Sequence, residues 1–377
     1  MKRGAMLSER KLYSRRTASV SATRTASPKD AHADAVIDSI AVCKMLYANA
    51  VKGESAIILL RSRLLSVAQR MGFSEVQREN MALVASEMVS NQIKHAQLKG
   101  QIQIWQQPGP TLDILALDYG QGISNLPDAQ RDGYSTANTL GKGLGSIQRL
   151  ADEAAIYTHA VPHGKWTGTA VLARFRVTRE VRKTAGEPVS VGLFSRALSD
   201  DRYNGDRIYL KRDEEKLRWL HLDGLGHGEN AQNTTADLAS HLLGKDPATA
   251  LEAVDKHLHG TRGAVAVIGE IDFVQRKLQL LGVGDMHAAL YNQGALRKIS
   301  FAPGILGLEH NSPTPFCEAF KHCSVVISAS DGIRRSWDEN DFPGLFNQPP
   351  QLIAYVLGNI MGRISDDQSL CVVRINQ

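Results

Sequence analysis

Apolar positions from Ile57 to Met71 recur at helical spacing, and Gly72-Phe73-Ser74 then ends that helix with a glycine and supplies a new N-cap. Ser74 followed three residues later by Gln77 predicts a capping box, and the next helix runs to about Ala96. Within it Met81, Val84, Ala85 and Met88 fall at i, i+3, i+4 and i+7, one buried stripe. The period then shifts to that of strands: Gln101–Gln106 and Leu112–Leu117, separated by a Pro108-Gly109-Pro110 turn. A glycine-punctuated stretch from Gly120 to Gly145 leads to a short helix, Ser146–Asp152, and to strands near Ala155–Val161 and Gly168–Val177.

Residues 179–188 are charged, lack an apolar period and close on Gly186-Glu187-Pro188, which marks the best domain boundary in the chain. Beyond it the chain turns to many short β-rich runs: Val189–Phe194, Arg207–Leu210, Trp219–Leu222, Ala264–Asp272, Lys277–Gly282, Ala288–Tyr291, Ser324–Ala329 and Leu370–Ile375. Helical stretches at Glu229–Leu243, Ala248–His257 and Leu352–Ile364 are interleaved, which predicts a β-sandwich or mixed sheet with helices packed outside. The expected organisation is a tail (1–32), a first domain (33–178), a linker (179–188) and a second domain (189–377), with the two halves separating cleanly at the linker.

Length agrees, since 377 residues at roughly 100–200 per domain predict two or three domains. A hydrophobic fraction of 43% excludes a wholly disordered or collagen-like chain. No apolar run approaches the roughly 20 residues of a membrane helix. Cys43, Cys317, Cys323 and Cys371 form no Cys-x-x-Cys pair, so they read as buried, reduced thiols of a cytoplasmic protein. The net charge of +5 is concentrated: residues 1–30 hold eight of the 44 basic residues and two of the 39 acidic ones, leaving a body close to neutral. The body therefore offers no electrostatic case for nucleic acid, and nothing in the pattern calls for a membrane. The basic, Ser/Thr/Ala-rich tail is expected to be disordered. Its composition is like that of a transit peptide, but a plain flexible tail or a start at Met6 accounts for it better.

Chemistry concentrates in two places. On the helix with the buried stripe, Glu87 and Asn91 stand at i and i+4, with Lys94 and His95 following. A carboxylate beside an amide suits activation of a nucleophile next to a hard cation such as Mg²⁺, although the same spacing also occurs on ordinary solvated helix faces. Asp118-Tyr119-Gly120-Gln121-Gly122-Ile123 follows an apolar strand, where an Asp can accept from the exocyclic amine of a purine. Gly141-Lys142-Gly143-Leu144-Gly145-Ser146 offers free backbone N–H groups before a helix, suited to phosphate oxygens, and Gly168-Thr169-Ala170 can add a further contact.

That order of motifs over about residues 35–177, with Ser86-Glu87-Met88-Val89-Ser90-Asn91 and Lys94-His95-Ala96, resembles the GHKL ATPase superfamily and within it the RsbT-like and anti-sigma serine kinases of bacterial partner switching. The resemblance implies a Bergerat α/β sandwich that binds ATP and Mg²⁺. It makes Glu87 the catalytic base for a protein serine, Asn91 the Mg²⁺ ligand and Asp118 the adenine reader. Lys94, Gly120, Gly122, Gly141, Lys142, Gly143, Leu144, Gly145 and Thr169 complete the nucleotide set, the 141–145 glycines in a lid over the phosphates. No phospho-acceptor histidine domain precedes the helix, and His95 is read as structural.

The second half places its acids in strand-end turns: Asn204-Gly205-Asp206, Asp223-Gly224-Leu225-Gly226-His227-Gly228, Ser330-Asp331-Gly332-Ile333 and Asp366-Asp367-Gln368-Ser369. Carboxylates without Cys or grouped His favour oxygen-ligated Mg²⁺ or Mn²⁺ over Zn²⁺, and a pair of such ions can hold a phosphoryl group for in-line attack. Each Asp-Gly taken alone also suits a plain hairpin turn. Together, and with Thr261-Arg262-Gly263-Ala264 and Gly282-Val283-Gly284-Asp285, they resemble the SpoIIE/RsbX branch of protein phosphatase 2C-like enzymes from about Ser190 onward, which implies an α/β/β/α sandwich. By that resemblance Asp223 bridges both metals, the Gly224 carbonyl adds a ligand, Asp331 and Asp366 complete the site and Asp206 lies near it. The pattern selects Asp366 over its neighbour Asp367. Asp285 stands where these phosphatases usually carry Asn, an extra charge that either strengthens metal binding or hinders the phosphate. His227 is either a phosphate-side acid or a packed turn histidine.

The resemblances imply a two-domain α/β switch protein. An ATP-dependent kinase half would phosphorylate Ser or Thr on a STAS-domain partner, and a phosphatase half would remove that or a related phosphate. The alternatives are a module that sequesters a sigma factor or other downstream regulator, and a nucleotide-sensing domain that governs the phosphatase.

Overall fold

A computed structural model describes residues 43–97, 99–129, 143–161, 164–178, 187–242, 246–320 and 322–376. The basic tail, Gly141 and Lys142 of the expected lid, and linker residues 179–186 lie outside the described residues.

The first half is one antiparallel sheet in the order β1-β2-β3-β5-β4. Its strands are β1 (Lys44–Ala50), β2 (Gly100–Gln107), β3 (Thr111–Asp118), β4 (Glu153–His159) and β5 (Gly168–Arg176). Helices α1 (Ser55–Arg70), α2 (Glu75–His95) and α4 (Leu144–Leu150), with the single turn α3 (Leu126–Ala129) between them in the chain, complete this half. Alternation along the strands divides the side chains between two cores. Ile102, Ile104, Ile114, Ala116, Val171 and Ala173 pack with Leu60, Leu64, Met81, Val84 and Met88 of α1 and α2. Trp105, Leu115, Leu117, Ala170 and Leu172 point the other way into a different core. The capping box at Ser74 and Gln77 forms as the sequence predicts. Strand β1 is absent from the sequence expectation because, at the sheet edge, it shows none of the buried alternation of an inner strand.

The second half stacks two five-stranded antiparallel sheets. One has the order β13-β10-β9-β8-β7, the other β12-β11-β14-β15-β6. In chain order the strands are β6 (Val189–Arg196), β7 (Asp206–Arg212), β8 (Lys216–Gly224), β9 (Ala264–Asp272), β10 (Lys277–Val283), β11 (His287–Asn292), β12 (Ala295–Ser300), β13 (Phe316–Ala319), β14 (Val325–Ala329) and β15 (Gln368–Ile375). Helices α5 (Glu229–Thr234) and α6 (Pro247–Leu258) belong to the first sheet, and α7 (Pro350–Met361) packs on β6 and β15 of the second. The predicted helix Glu229–Leu243 is broken: α5 stops at Thr234, Asp237 takes a left-handed φ of 57°, and a 3₁₀ turn resumes at Ala239. Among the described residues no helix is long and apolar enough to cross a membrane.

Helix α7 corrects the expectation of helices packed outside, because it lies between the two halves. Ten of its twelve residues are buried, as expected of a helix that is apolar all round. Trp105 of β2 sits 5.1 Å from Phe194 of β6 and 5.1 Å from Tyr355 of α7, ring centre to ring centre. Beside it Asp113 takes a bidentate contact from Arg174, both bonds at 2.7 Å. The Tyr355 hydroxyl donates to Asp113 Oδ2 at 2.8 Å and accepts from Gln107 at 2.6 Å. Burial, followed by the Asp113 charge, raises the Tyr355 pKa far above its usual range and keeps the phenol a donor. Gln103 donates to Asn359 Oδ1 at 2.6 Å, where Arg196 also donates at 3.0 Å. The first sheet, α7 and the second half thus share one core, at variance with two halves that part cleanly at the linker.

Candidate functional site

In the first half the site grows from α2 and the end of β3. The buried stripe of Met81, Ala85, Met88 and Val89 fixes the rotation of α2, leaving Glu87 and Asn91 half-buried on the flank and Lys94 exposed. Asp118 closes β3, and its Oδ1 accepts from the backbone N–H of Gly120 at 2.8 Å and of Thr169 at 3.1 Å. Burial pushes its pKa up, and those two N–H groups and the charge of His95 pull it back. His95, read as structural from the sequence, is exposed.

The loop after Asp118 is held from three sides. Ile123 N–H donates to Thr158 Oγ1 at 2.7 Å, and that hydroxyl lies 3.2 Å from Thr169 Oγ1. Trp166 Nε1 donates to the Asp118 carbonyl at 2.8 Å. Gly122 has φ +71°, and a Cβ there would stand 2.6 Å from the His159 carbonyl oxygen; Gly168 has φ +148°, and a Cβ would fall 2.1 Å from the Asp118 carbonyl oxygen. Neither position admits a side chain. Gly143 caps α4, whose Leu144 and Ile147 are buried in the α2 core, with Gly145 beside them. Gly120 lies against Ala96 at the end of α2, so the Asp118 turn and the helix bearing Glu87 and Asn91 meet at one end of the sheet.

In the second half, antiparallel pairing sets Asp206 of β7 directly opposite Asp223 of β8. Like charges so placed repel. Burial raises the Asp223 pKa well above the carboxylate range, and Asp206, Asp331, Asp366 and Asp285 raise it further by charge. Asp331 and Asp366 are raised first by burial too, with Arg363 opposing at both and Arg335 at Asp331. Asp206 is pushed up to about 7, chiefly by burial, although the Ser369 hydroxyl donates to its Oδ2 at 2.6 Å. Its Oδ1 is buried without a hydrogen-bond partner.

The neighbouring Asp367 is occupied elsewhere: its oxygens accept from Leu198 N–H and Gly205 N–H, both at 2.7 Å, and it is 2% exposed. Asp366 is the half-buried member of the pair. Gly224 N–H bonds the Gly205 carbonyl at 3.3 Å, drawing the Asp206 and Asp223 turns together. His227 is exposed rather than packed, and its charge lowers the Asp366 pKa.

A hard divalent cation fits this donor set. The ligating atoms are all oxygens, one buried carboxylate oxygen lacks a partner, and the carboxylates resist ionising side by side. Among the described residues no three His, Cys, Asp or Glu side chains are grouped so as to hold a metal ion between them, so the carboxylates line the cluster without converging on one point.

Beneath the cluster lies a polar relay that the sequence reading missed. His221 stands 2.7 Å from Ser369 Oγ and 3.0 Å from Ser328 Oγ. Burial drives its pKa down to about 3, so the ring is neutral. The available signal was period two on β8, which puts His221 on the same face as Asp223.

Residues 54–174 match the family profile of the histidine kinase-like ATPase domain. The serine/threonine-protein kinase RsbT of Bacillus subtilis is 34% identical over 103 residues, which cover 26% of this chain and 77% of RsbT. Over its first half the chain belongs to the RsbT family of GHKL ATPase domains. The chain is also similar to the phosphoserine phosphatase RsbX of Bacillus subtilis, 31% identical over 91 residues, 23% of this chain and less than half, 46%, of RsbX. A crystal structure of RsbX with magnesium aligns with a TM-score of 0.44 at 20% identity, covering 50% of this chain and 96% of RsbX. The chain has the expected two-domain α/β architecture, a Bergerat-type sandwich followed by a phosphatase 2C-like sandwich.

Proposed function

We infer that the chain is a bifunctional partner-switching enzyme that phosphorylates a serine or threonine on a STAS-domain protein and removes that or a related phosphate. The observation that carries this reading is the presence in one fold of the Glu87/Asn91/Asp118 constellation and the five-carboxylate cluster around Asp223.

In the kinase half Asp118 would accept from the adenine amine, its Oδ1 being held by Gly120 and Thr169. Asn91 would hold the Mg²⁺ of the nucleotide, with Lys94 and the 141–145 lid toward the phosphates. Glu87 takes the hydroxyl proton of the partner residue. In the phosphatase half Asp206, Asp223, the Gly224 carbonyl, Asp331 and Asp366 would hold Mg²⁺ or Mn²⁺. Those ions supply Lewis-acid charge and a strong nucleophile at neutral pH. The relay from His221 through Ser369 occupies one oxygen of Asp206 and leaves the other for the ion. Arg335 and Arg363, whose charges bear on Asp331, are placed to offset negative charge on an incoming phosphate.

Separate roles for Glu87 and Asn91 give separate signatures. Asn91→Ala raises the Kd for Mg·ATP at least about tenfold, since loss of a supporting ligand alone costs 10–100-fold. Glu87→Ala leaves nucleotide bound and slows transfer by about 10²–10⁴-fold. Titration with a fluorescent nucleotide checks both, and equal loss of binding in the two variants contradicts the assignment.

One contact favours a second reading, in which bound nucleotide governs the phosphatase. Trp166, bonded to the Asp118 carbonyl, belongs to the core shared with Trp337 and Phe342 of the second half. Gly164, two residues earlier, lies against the Asp341 backbone. On that reading Glu87→Ala retains ATP-dependent phosphatase rates with no partner phosphorylation at all.

A further inference from the structure

At the seam between the halves lies a cavity of about 220 Å³, walled by the start of β1 on one side and by the end of β6 and the start of β7 on the other. It opens on Asp206 and Ser369, at the edge of the carboxylate cluster. Four cations, Lys44, Arg196, Arg202 and Arg207, line it against two acids, Asp201 and Asp206. Arg207 Nε is buried without a hydrogen-bond partner. Arg196 is held by donation to Asn359 within its own half and reaches the Met45 sulfur across the seam. Lys44 is exposed at the rim and forms no ion pair among the described residues.

The volume lies below the roughly 300–1,000 Å³ that encloses a nucleotide-sized ligand, and it suits one or two side chains. Excess positive charge around such a space selects carboxylates. We propose that this seam pocket is the substrate-docking site of the phosphatase half, and that it takes acidic residues flanking the phosphoserine of a protein substrate. Lys44, carried by the ATPase half, reads those residues while the phosphate reaches the cluster next door. The fused domain thereby sets the specificity of its neighbour. This inference rests on the phosphatase reading above.

The test uses the full chain and three probes: a phosphoserine peptide with Asp/Glu flanks, the same peptide with Ala flanks, and p-nitrophenyl phosphate. The wild type hydrolyses the acid-flanked peptide with kcat/KM about tenfold above the Ala-flanked one, a difference carried by KM that falls with salt. Lys44→Glu removes the preference and leaves p-nitrophenyl phosphate turnover and nucleotide binding unchanged. Fluorescence anisotropy on the Asp223→Asn variant gives a readout free of turnover, in which the acid-flanked peptide binds more tightly than its Ala counterpart and Lys44→Glu abolishes the difference. Equal binding of the two peptides, or a preference that survives Lys44→Glu, overturns the docking site. Absence of p-nitrophenyl phosphate hydrolysis with the binding preference intact overturns the phosphatase reading instead and leaves an acidic-peptide site standing.

Discussion

A fragment beginning at Glu187, with the ATPase half removed, is expected to lose its cooperative fold and its turnover. The cause is the position of α7. Its far side is covered by β2, β3 and β5 of the first sheet, so truncation bares Phe194, Tyr355 and their apolar neighbours, which are fully buried in the whole chain. Uncovering those two large side chains alone costs about 3–6 kcal/mol, a large share of the stability of a typical domain. The loss also strips Tyr355 and Asn359 of their partners Asp113, Gln107 and Gln103. Within the full chain, Asp113→Ala removes both close bonds of the Arg174 guanidinium and leaves it buried with only Glu153 at 4.0 Å, a change of about 3 kcal/mol. Thermal unfolding followed by near-ultraviolet circular dichroism checks both. A fragment with one sharp transition and undiminished phosphatase rate would show that the halves are independent.

The second large effect concerns Asp223, where activity and stability are expected to move in opposite directions. Asp223→Asn removes the central charge of the cluster, and metal affinity with phosphatase turnover should fall by about 100-fold or more, beyond the loss typical of a merely supporting residue. The same change relieves the repulsion from Asp206 directly across the β7–β8 ladder and from Asp331, Asp366 and Asp285. In chelator the variant should therefore melt above the wild type, the trade expected where a site is kept under strain for function. Calorimetry in EDTA, paired with a Mn²⁺-dependent rate assay, gives both numbers. A variant less stable than wild type in EDTA would mean that the carboxylates are not opposed as described.

Much of this was legible in the sequence because the signals were local. The capping box at Ser74 and the stripe on α2 each depend on residues a few positions apart, and each fixes the geometry it predicts. The pairing of two of the acids was legible for the same reason, since the turns bearing Asp206 and Asp223 face each other once β7 and β8 pair in register. What escaped was non-local. Edge strand β1 buries too little to show a period, and its Lys44 acquires meaning only beside β7. Asp113 reads as an ordinary polar position until Arg174 and Tyr355 are seen to close on it from 61 and 242 residues away. The all-apolar face pattern of Leu352-Ile353-Ala354-Tyr355-Val356-Leu357 did carry a warning that α7 is covered on every side. The break of Glu229–Leu243 at Asp237 carried none, because no glycine or proline marks it.

The central claim is that both halves act in a cycle on one partner. The direct measurement is a time course of partner phosphorylation, resolved on phosphate-affinity gels, for a STAS-domain protein incubated with ATP, metal and the wild type, Glu87→Ala or Asp331→Asn. The account predicts a partial steady level with the wild type, accumulation toward stoichiometry with Asp331→Asn, and no modification with Glu87→Ala. An Asp331→Asn level indistinguishable from wild type would contradict it.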